Sequence, residues 1–104
     1  MKFGNQDAKS LKKYKLDGPL FFGTAKSFED AYPVILSDKV NNIIIDMEHL
    51  AVIDATGEAV LSDLIDDAAV ADIRIIIKKL PKDKLILFKK SGLYDKIGEE
   101  NFFM

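Results

Sequence analysis

The chain has 104 residues, 48% of them hydrophobic, with 17 acidic and 15 basic side chains and no cysteine. That length holds one compact domain with one core, and a formal net charge of -2 gives no general electrostatic pull toward DNA, RNA or an anionic membrane, so nucleic acid is not an expected partner. Without cysteine there are no disulfides, thiolate nucleophiles or cysteine metal sites, which suits a reducing cytosol; the apolar runs fall well short of the roughly 20 residues of a membrane-spanning helix, and Met1-Lys2-Phe3-Gly4-Asn5-Gln6 lacks the apolar run of a signal peptide.

In chain order, Tyr14 and Leu16 and then Leu20-Phe21-Phe22 form two short extended runs around Asp17-Gly18-Pro19, where glycine and proline mark a turn and predict an opening hairpin. From Thr24 the apolar residues Ala25, Phe28, Ala31 and Tyr32 recur at spacings of three and four, predicting a helix that ends near Pro33 or a turn later, with Lys26, Glu29 and Asp30 outward. Ile43-Ile44-Ile45 is β-branched and uninterrupted, the pattern of a central strand covered on both faces, and it ends in Asp46. Leu50-Ala51-Val52-Ile53 leads into Asp54-Ala55-Thr56-Gly57, after which Val60, Leu61, Leu64, Ile65 and Ala68 make a clear helical stripe. Ile73-Arg74-Ile75-Ile76-Ile77 reads as the next strand. Leu80-Pro81 opens a further helix through Leu85, Ile86, Leu87 and Phe88, with Gly92 placed as its C-terminal stop. Strand and helix alternate, so the fold class is α/β: a mixed, partly parallel sheet of four to five strands with helices packed on it, the crossovers right-handed and the hairpin supplying the mixed character.

Charge is segregated along the chain. No basic residue lies between Lys39 and Arg74, while Asp46, Glu48, Asp54, Glu58, Asp63, Asp66, Asp67 and Asp72 gather around the helix that follows Gly57. Beyond it the sign reverses, through Arg74, Lys78, Lys79, Lys82, Lys84, Lys89, Lys90 and Lys96. The pattern reads either as a pair of interaction surfaces or as ordinary solvated helix faces.

Enzyme signatures are mostly absent, and no catalytic residue and no cofactor is expected. Phosphate-cradling glycine loops and the G-x-S-x-G elbow find no match. His49 is the one histidine; a metal site would require Asp46 and Glu48 to converge on it, and the plainer reading is a loop or strand-edge histidine. Asp46 stands where a receiver-like phosphotransfer domain carries its phosphoacceptor, but that chemistry needs more carboxylates after the first strand to hold magnesium, and Asp17 is a poor substitute.

The segment singled out is Asp54-Ala55-Thr56-Gly57, where a strand gives way to the best helix. A hydroxyl there lies beside unpaired backbone N–H groups and the positive end of the helix dipole, so phosphate on Thr56 would be electrostatically favoured. Equally, Thr56 or Asp54 can serve simply as the N-cap; Glu58 follows Thr56 by two residues and not three, so no capping box supports that role for Thr56. The helix is apolar on one side only, and its other side, with Glu58, Ser62, Asp63 and Asp66, is the expected partner surface.

Four segments, in order and spacing, resemble the STAS family: Asp17-Gly18-Pro19-Leu20-Phe21-Phe22-Gly23, Ile43-Ile44-Ile45-Asp46-Met47, Ile53-Asp54-Ala55-Thr56-Gly57, and Lys90-Ser91-Gly92-Leu93 with Ile97-Gly98. The similarity covers residues 14–103, with 1–13 read as an N-terminal extension and 14–104 as the domain. The D-G-P-L-F-F-G opening and the D-A-T-G loop look most like the sulfate-permease branch. What the resemblance implies is a non-catalytic cytoplasmic regulatory domain of a SulP-type anion transporter, held at the cytoplasmic face of the membrane, binding protein and not inserting in the bilayer. Nucleotide binding is implied by the resemblance alone. In anti-sigma factor antagonists of the same family, the residue two positions after the loop aspartate is a serine phosphorylated by the anti-sigma factor kinase, and Thr56 holds that position here. The alternative is therefore a free-standing antagonist regulated at Thr56; the partner is a transporter membrane domain in one case and an anti-sigma factor kinase in the other.

Overall fold

The computed structural model describes residues 11–16, 18–20, 30 and 41–103. Its strands are β1 (Leu11–Lys15), β2 (Gly18–Leu20), β3 (Asn42–Asp46), β4 (Leu50–Ile53), β5 (Arg74–Lys78) and β6 (Phe102–Phe103). Helices α1 (Ala55–Val70), α2 (Lys82–Ser91) and α3 (Leu93–Ile97) follow, and a 3-10 turn (Glu99–Asn101) precedes β6. Of the helix expected from Thr24 to about Pro33, Asp30 alone is among the described residues, helical and exposed.

One sheet has the order β1-β3-β5-β6 and a small one pairs β2 with β4. All of these pairings are parallel, with β3 hydrogen-bonded on both sides. The fold is thus α/β as expected, but β1 and β2 do not form a hairpin with each other. They run instead as one broken strand beside β3 and β4. Leu16 N–H donates to Asp46 O and Gly18 N–H to His49 O, both at 2.9 Å, which carries the parallel ladder past the break. Gly18 bends the chain at φ 79, a conformation open to glycine. Parallel pairing wins because it sets Leu20 beside Ile53 and buries it in the core, whereas a hairpin's hydrogen bonds alone offer no comparable burial.

Side-chain alternation sorts the sheet into two faces. Ile43, Ile45, Ile75 and Ile77 face α1, whose stripe Val60, Leu61, Leu64, Ile65 and Ala68 is buried with them; Phe88, Leu93 and Ile97 join the same cluster, as do Leu20, Leu50 and Ile53. Ile44 and Ile76 point to the opposite face and are also buried, at 8% and 1% exposure. Both faces are therefore covered, as an uninterrupted isoleucine run requires. Gly92 ends α2 in the left-handed conformation at φ 87, its N–H donating to Lys89 O. Of the apolar run in α2 only Phe88 is fully buried, while Ile86 and Leu87 are exposed and Lys84 is turned inward; with 3.6 residues per turn, one face cannot take four consecutive side chains. Among the described residues, no helix is long and apolar enough to cross a membrane.

Candidate partner surface at the start of helix α1

β4 delivers the chain to the 54–57 loop with Asp54 N–H bonded to Leu20 O at 3.2 Å. Asp54 is extended and caps α1: its Oδ1 accepts from Gly57 N–H at 2.9 Å, while its carbonyl accepts the first helical bond from Glu58 N–H at 2.9 Å. The carboxylate thereby satisfies one of the donors a helix start leaves unpaired and places negative charge at the positive end of the dipole. Gly57 is buried and helical. Its requirement is spatial, because a Cβ there would sit 2.2 Å from Leu20 O. The motif is therefore built by Asp54 and Gly57 against the β2 backbone.

Of the two residues considered as N-cap, Asp54 has that role. Ala55 and Thr56 are the first helical residues, Ala55 exposed and Thr56 half-buried. Thr56 is not the cap, and its hydroxyl lies in the turn whose N–H groups have no preceding helical carbonyl.

At 100° per residue, the outward side of α1 is centred on Ala59 and Asp66, with Thr56 and Asp63 on one flank and Glu58 and Ser62 on the other. The second flank faces α3. Lys96 Nζ donates to Ser62 Oγ at 2.6 Å and to the Asp66 carboxylate at 3.1 Å. Between them runs an open groove of about 540 Å³ lined by Glu58, Ala59, Ser62, Ser91, Gly92, Leu93 and Lys96. The structure thus brings Glu58, Ser62 and Asp66 to one groove and leaves Asp63 exposed on the other flank. Sequence reasoning did not place Lys96, Ser91, Gly92 or Leu93 in the site. The signal was the charge reversal after Arg74, part of which is neutralised within the fold at the Lys96–Asp66 pair.

Asp46 belongs to a different place. It lies buried at the end of β3, and its Oδ1 accepts from Glu48 N–H at 3.0 Å. That bond, followed by the nearby Lys79, Lys13 and Lys15 charges and against the opposing effect of burial, holds its carboxyl below the usual carboxylate range. His49 is exposed in the following turn with Nε2 at 3.5 Å from Glu48, and Asp17 lies outside the described residues. Among the described residues no three His or carboxylate side chains converge as a metal ion would require.

The profile of the STAS domain matches residues 5–104, and the chain belongs to the STAS domain family. It is 31% identical over 94 residues, 90% of its length, to the candidate sulfate transporter YvdB of Bacillus subtilis (strain 168), and it spans 18% of that relative. A sulfate transporter family protein from Wolinella succinogenes superposes with a TM-score of 0.81 at 22% identity, covering 90% of this chain and 76% of that one. The SulP transporter STAS domain from Vibrio cholerae gives 0.77 at 25% identity, covering 92% and 74%. The unphosphorylated anti-sigma factor antagonist SpoIIAA gives 0.60 at 17% identity, covering 72% and 69%, a likeness of fold.

Proposed function

We propose that this chain is a non-catalytic regulatory STAS domain of a SulP-type anion transporter at the cytoplasmic face of the membrane. The outward side of α1 and the 54–57 loop bind its protein partner, the transporter's membrane domain, and Thr56 is the phosphoacceptor that controls the contact. The observation that carries this reading is the division of labour in the loop: Asp54 caps the helix and Gly57 packs it, so Thr56 is not needed as the cap. The relation to YvdB, of which this chain covers less than a fifth, supports the transporter setting.

Phosphate on Thr56 would add about -1.5 to -2 charges and three acceptor oxygens. The helix start favours that charge by roughly 0.3 to 1 kcal/mol, and Asp54 and Glu58 oppose it, so the fold survives and the effect falls on the surface. Thr56→Glu should weaken binding to the separately expressed membrane domain and leave the melting temperature nearly unchanged, while Thr56→Ala binds normally. Equal binding by wild type, Thr56→Glu and phosphorylated protein, measured by calorimetry, would remove the switch.

The likeness to SpoIIAA favours a second reading, a free-standing anti-sigma factor antagonist whose partner is the anti-sigma factor kinase. The reading frame separates the two. A membrane-spanning stretch upstream supports the transporter, and a neighbouring anti-sigma kinase that phosphorylates Thr56 supports the antagonist.

A further inference from the structure

We infer that the outward face of α2 docks on an anionic lipid surface. Lys82, Ile86 and Lys90 follow each other at four-residue spacing on this helix, so they form one line along its exposed side, about 12 Å long. Ile86 is 57% exposed and Leu87, beside it, 39%. Lys82, Lys89 and Lys90 neighbour Ile86 at i−4, i+3 and i+4, Lys90 also adjoins Leu87, and Asp83 adjoins both apolar side chains; all four charged residues are exposed. Asp83, the acidic residue of α2, is already paired with Lys84, and among the described residues no carboxylate pairs with Lys82, Lys89 or Lys90. Lys89 lies over the Tyr94 ring, which leaves its charge intact. The net charge on this face is therefore positive, three lysines against Asp83, although the whole chain carries -2.

Charge complementarity requires an anionic partner, and the shape favours a lipid surface over a protein. Ile86 and Leu87 project from the solvent side of a single helix at 57% and 39% exposure, so the face is a convex ridge. A bilayer interface accepts a ridge without a matching recess: the two apolar side chains enter the headgroup boundary while flexible lysine stems keep their ammonium groups at the phosphate level. Each lysine near such a surface contributes roughly a fivefold increase in affinity, which makes the contact weak and reversible for the chain by itself. That a bilayer lies within reach in the cell rests on the transporter reading; the surface chemistry does not.

The test is sedimentation of the chain with vesicles of equal parts phosphatidylcholine and phosphatidylglycerol, against vesicles of phosphatidylcholine alone. Binding should occur only to the anionic vesicles. It should fall about tenfold or more when Lys82→Glu and Lys90→Glu are combined, and largely persist when Lys13→Glu and Lys15→Glu make the same charge change on β1. Ile86→Asp, at a position already exposed, should weaken binding with the melting temperature unchanged, and it reads the same face if the double reversal perturbs folding. No binding by wild type, or equal loss from the α2 and β1 pairs, overturns the inference. So does a wild-type chain that ignores vesicles but binds polyglutamate or itself through Lys82 and Lys90, because the face then belongs to a protein. A gene lacking any membrane-spanning stretch would remove the transporter reading and leave the vesicle result standing.

Discussion

Gly57 and Asp54 show how single side chains set the start of α1. A methyl group on Gly57 would meet Leu20 O at 2.2 Å, and that oxygen belongs to a backbone also holding Asp54 N–H, so it has little room to move. Gly57→Ala should therefore destabilise by about 1–3 kcal/mol, and Asp54→Ala, which removes the cap on Gly57 N–H, by about 0.5–2 kcal/mol. Thermal denaturation reads both; an unchanged melting temperature for Gly57→Ala would mean that β2 and α1 can separate freely. Asp46 gives a pH dependence. Its carboxyl is held below the ordinary value, first by the Glu48 N–H, so its ionised form stabilises the fold at pH above the unfolded value of about 3.9, and that contribution is lost as pH falls through the lower folded value. Asp46→Asn should be less stable than wild type at neutral pH, with the gap closing below about pH 4. A gap in urea unfolding that stays constant into acid would show that ionisation of Asp46 contributes nothing.

At the level of elements, β3 and α2 carry the same kind of apolar run with opposite outcomes. Ile44 stands on a strand paired on both sides and covered on both faces, so Ile44→Ala should cost about 2–5 kcal/mol through lost burial and a residual cavity. Ile86 stands on the outer line of a helix at 57% exposure, so Ile86→Ala should change stability by less than about 0.5 kcal/mol. Denaturant titration of the pair checks the assignment, and a large effect at Ile86 would put α2 against a surface within the fold. The helical stripe of α1 was legible in sequence because its apolar residues fall on one face of a 3.6-residue period. The outward side of α2 was not, because Leu85, Ile86, Leu87 and Phe88 have no period from which to choose an inner face.

For the whole molecule, the acidic outward side of α1 is the proposed partner surface, and Asp66 there is shared with Lys96. An exposed pair of this kind stabilises by about 0–1 kcal/mol, so reversing its charge leaves the fold standing. Asp63→Lys and Asp66→Lys should each weaken partner binding by more than about 1 kcal/mol if the contact centres on this face, and unchanged affinity by calorimetry for both would move the interface elsewhere. By itself the sequence determined the α/β class, the buried β3 and β5 cores, the apolar stripe of α1, the Gly92 stop and the family, because all of these rest on local periodicity, turn residues and short motifs within one stretch of chain. It also singled out the 54–57 loop. Only the tertiary structure decided that β1 and β2 pair in parallel with β3 and β4, since Asp17-Gly18-Pro19 suits a turn in either topology and the choice depends on burying Leu20 beside Ile53. The cap likewise went to Asp54 over Thr56, with Asp54 held extended by its N–H bond to Leu20 O, and Lys96 reached Ser62 and Asp66 from more than a full helix further along the chain. Such contacts join residues far apart in sequence, and their geometry is set by packing, which a linear pattern of residue types does not contain.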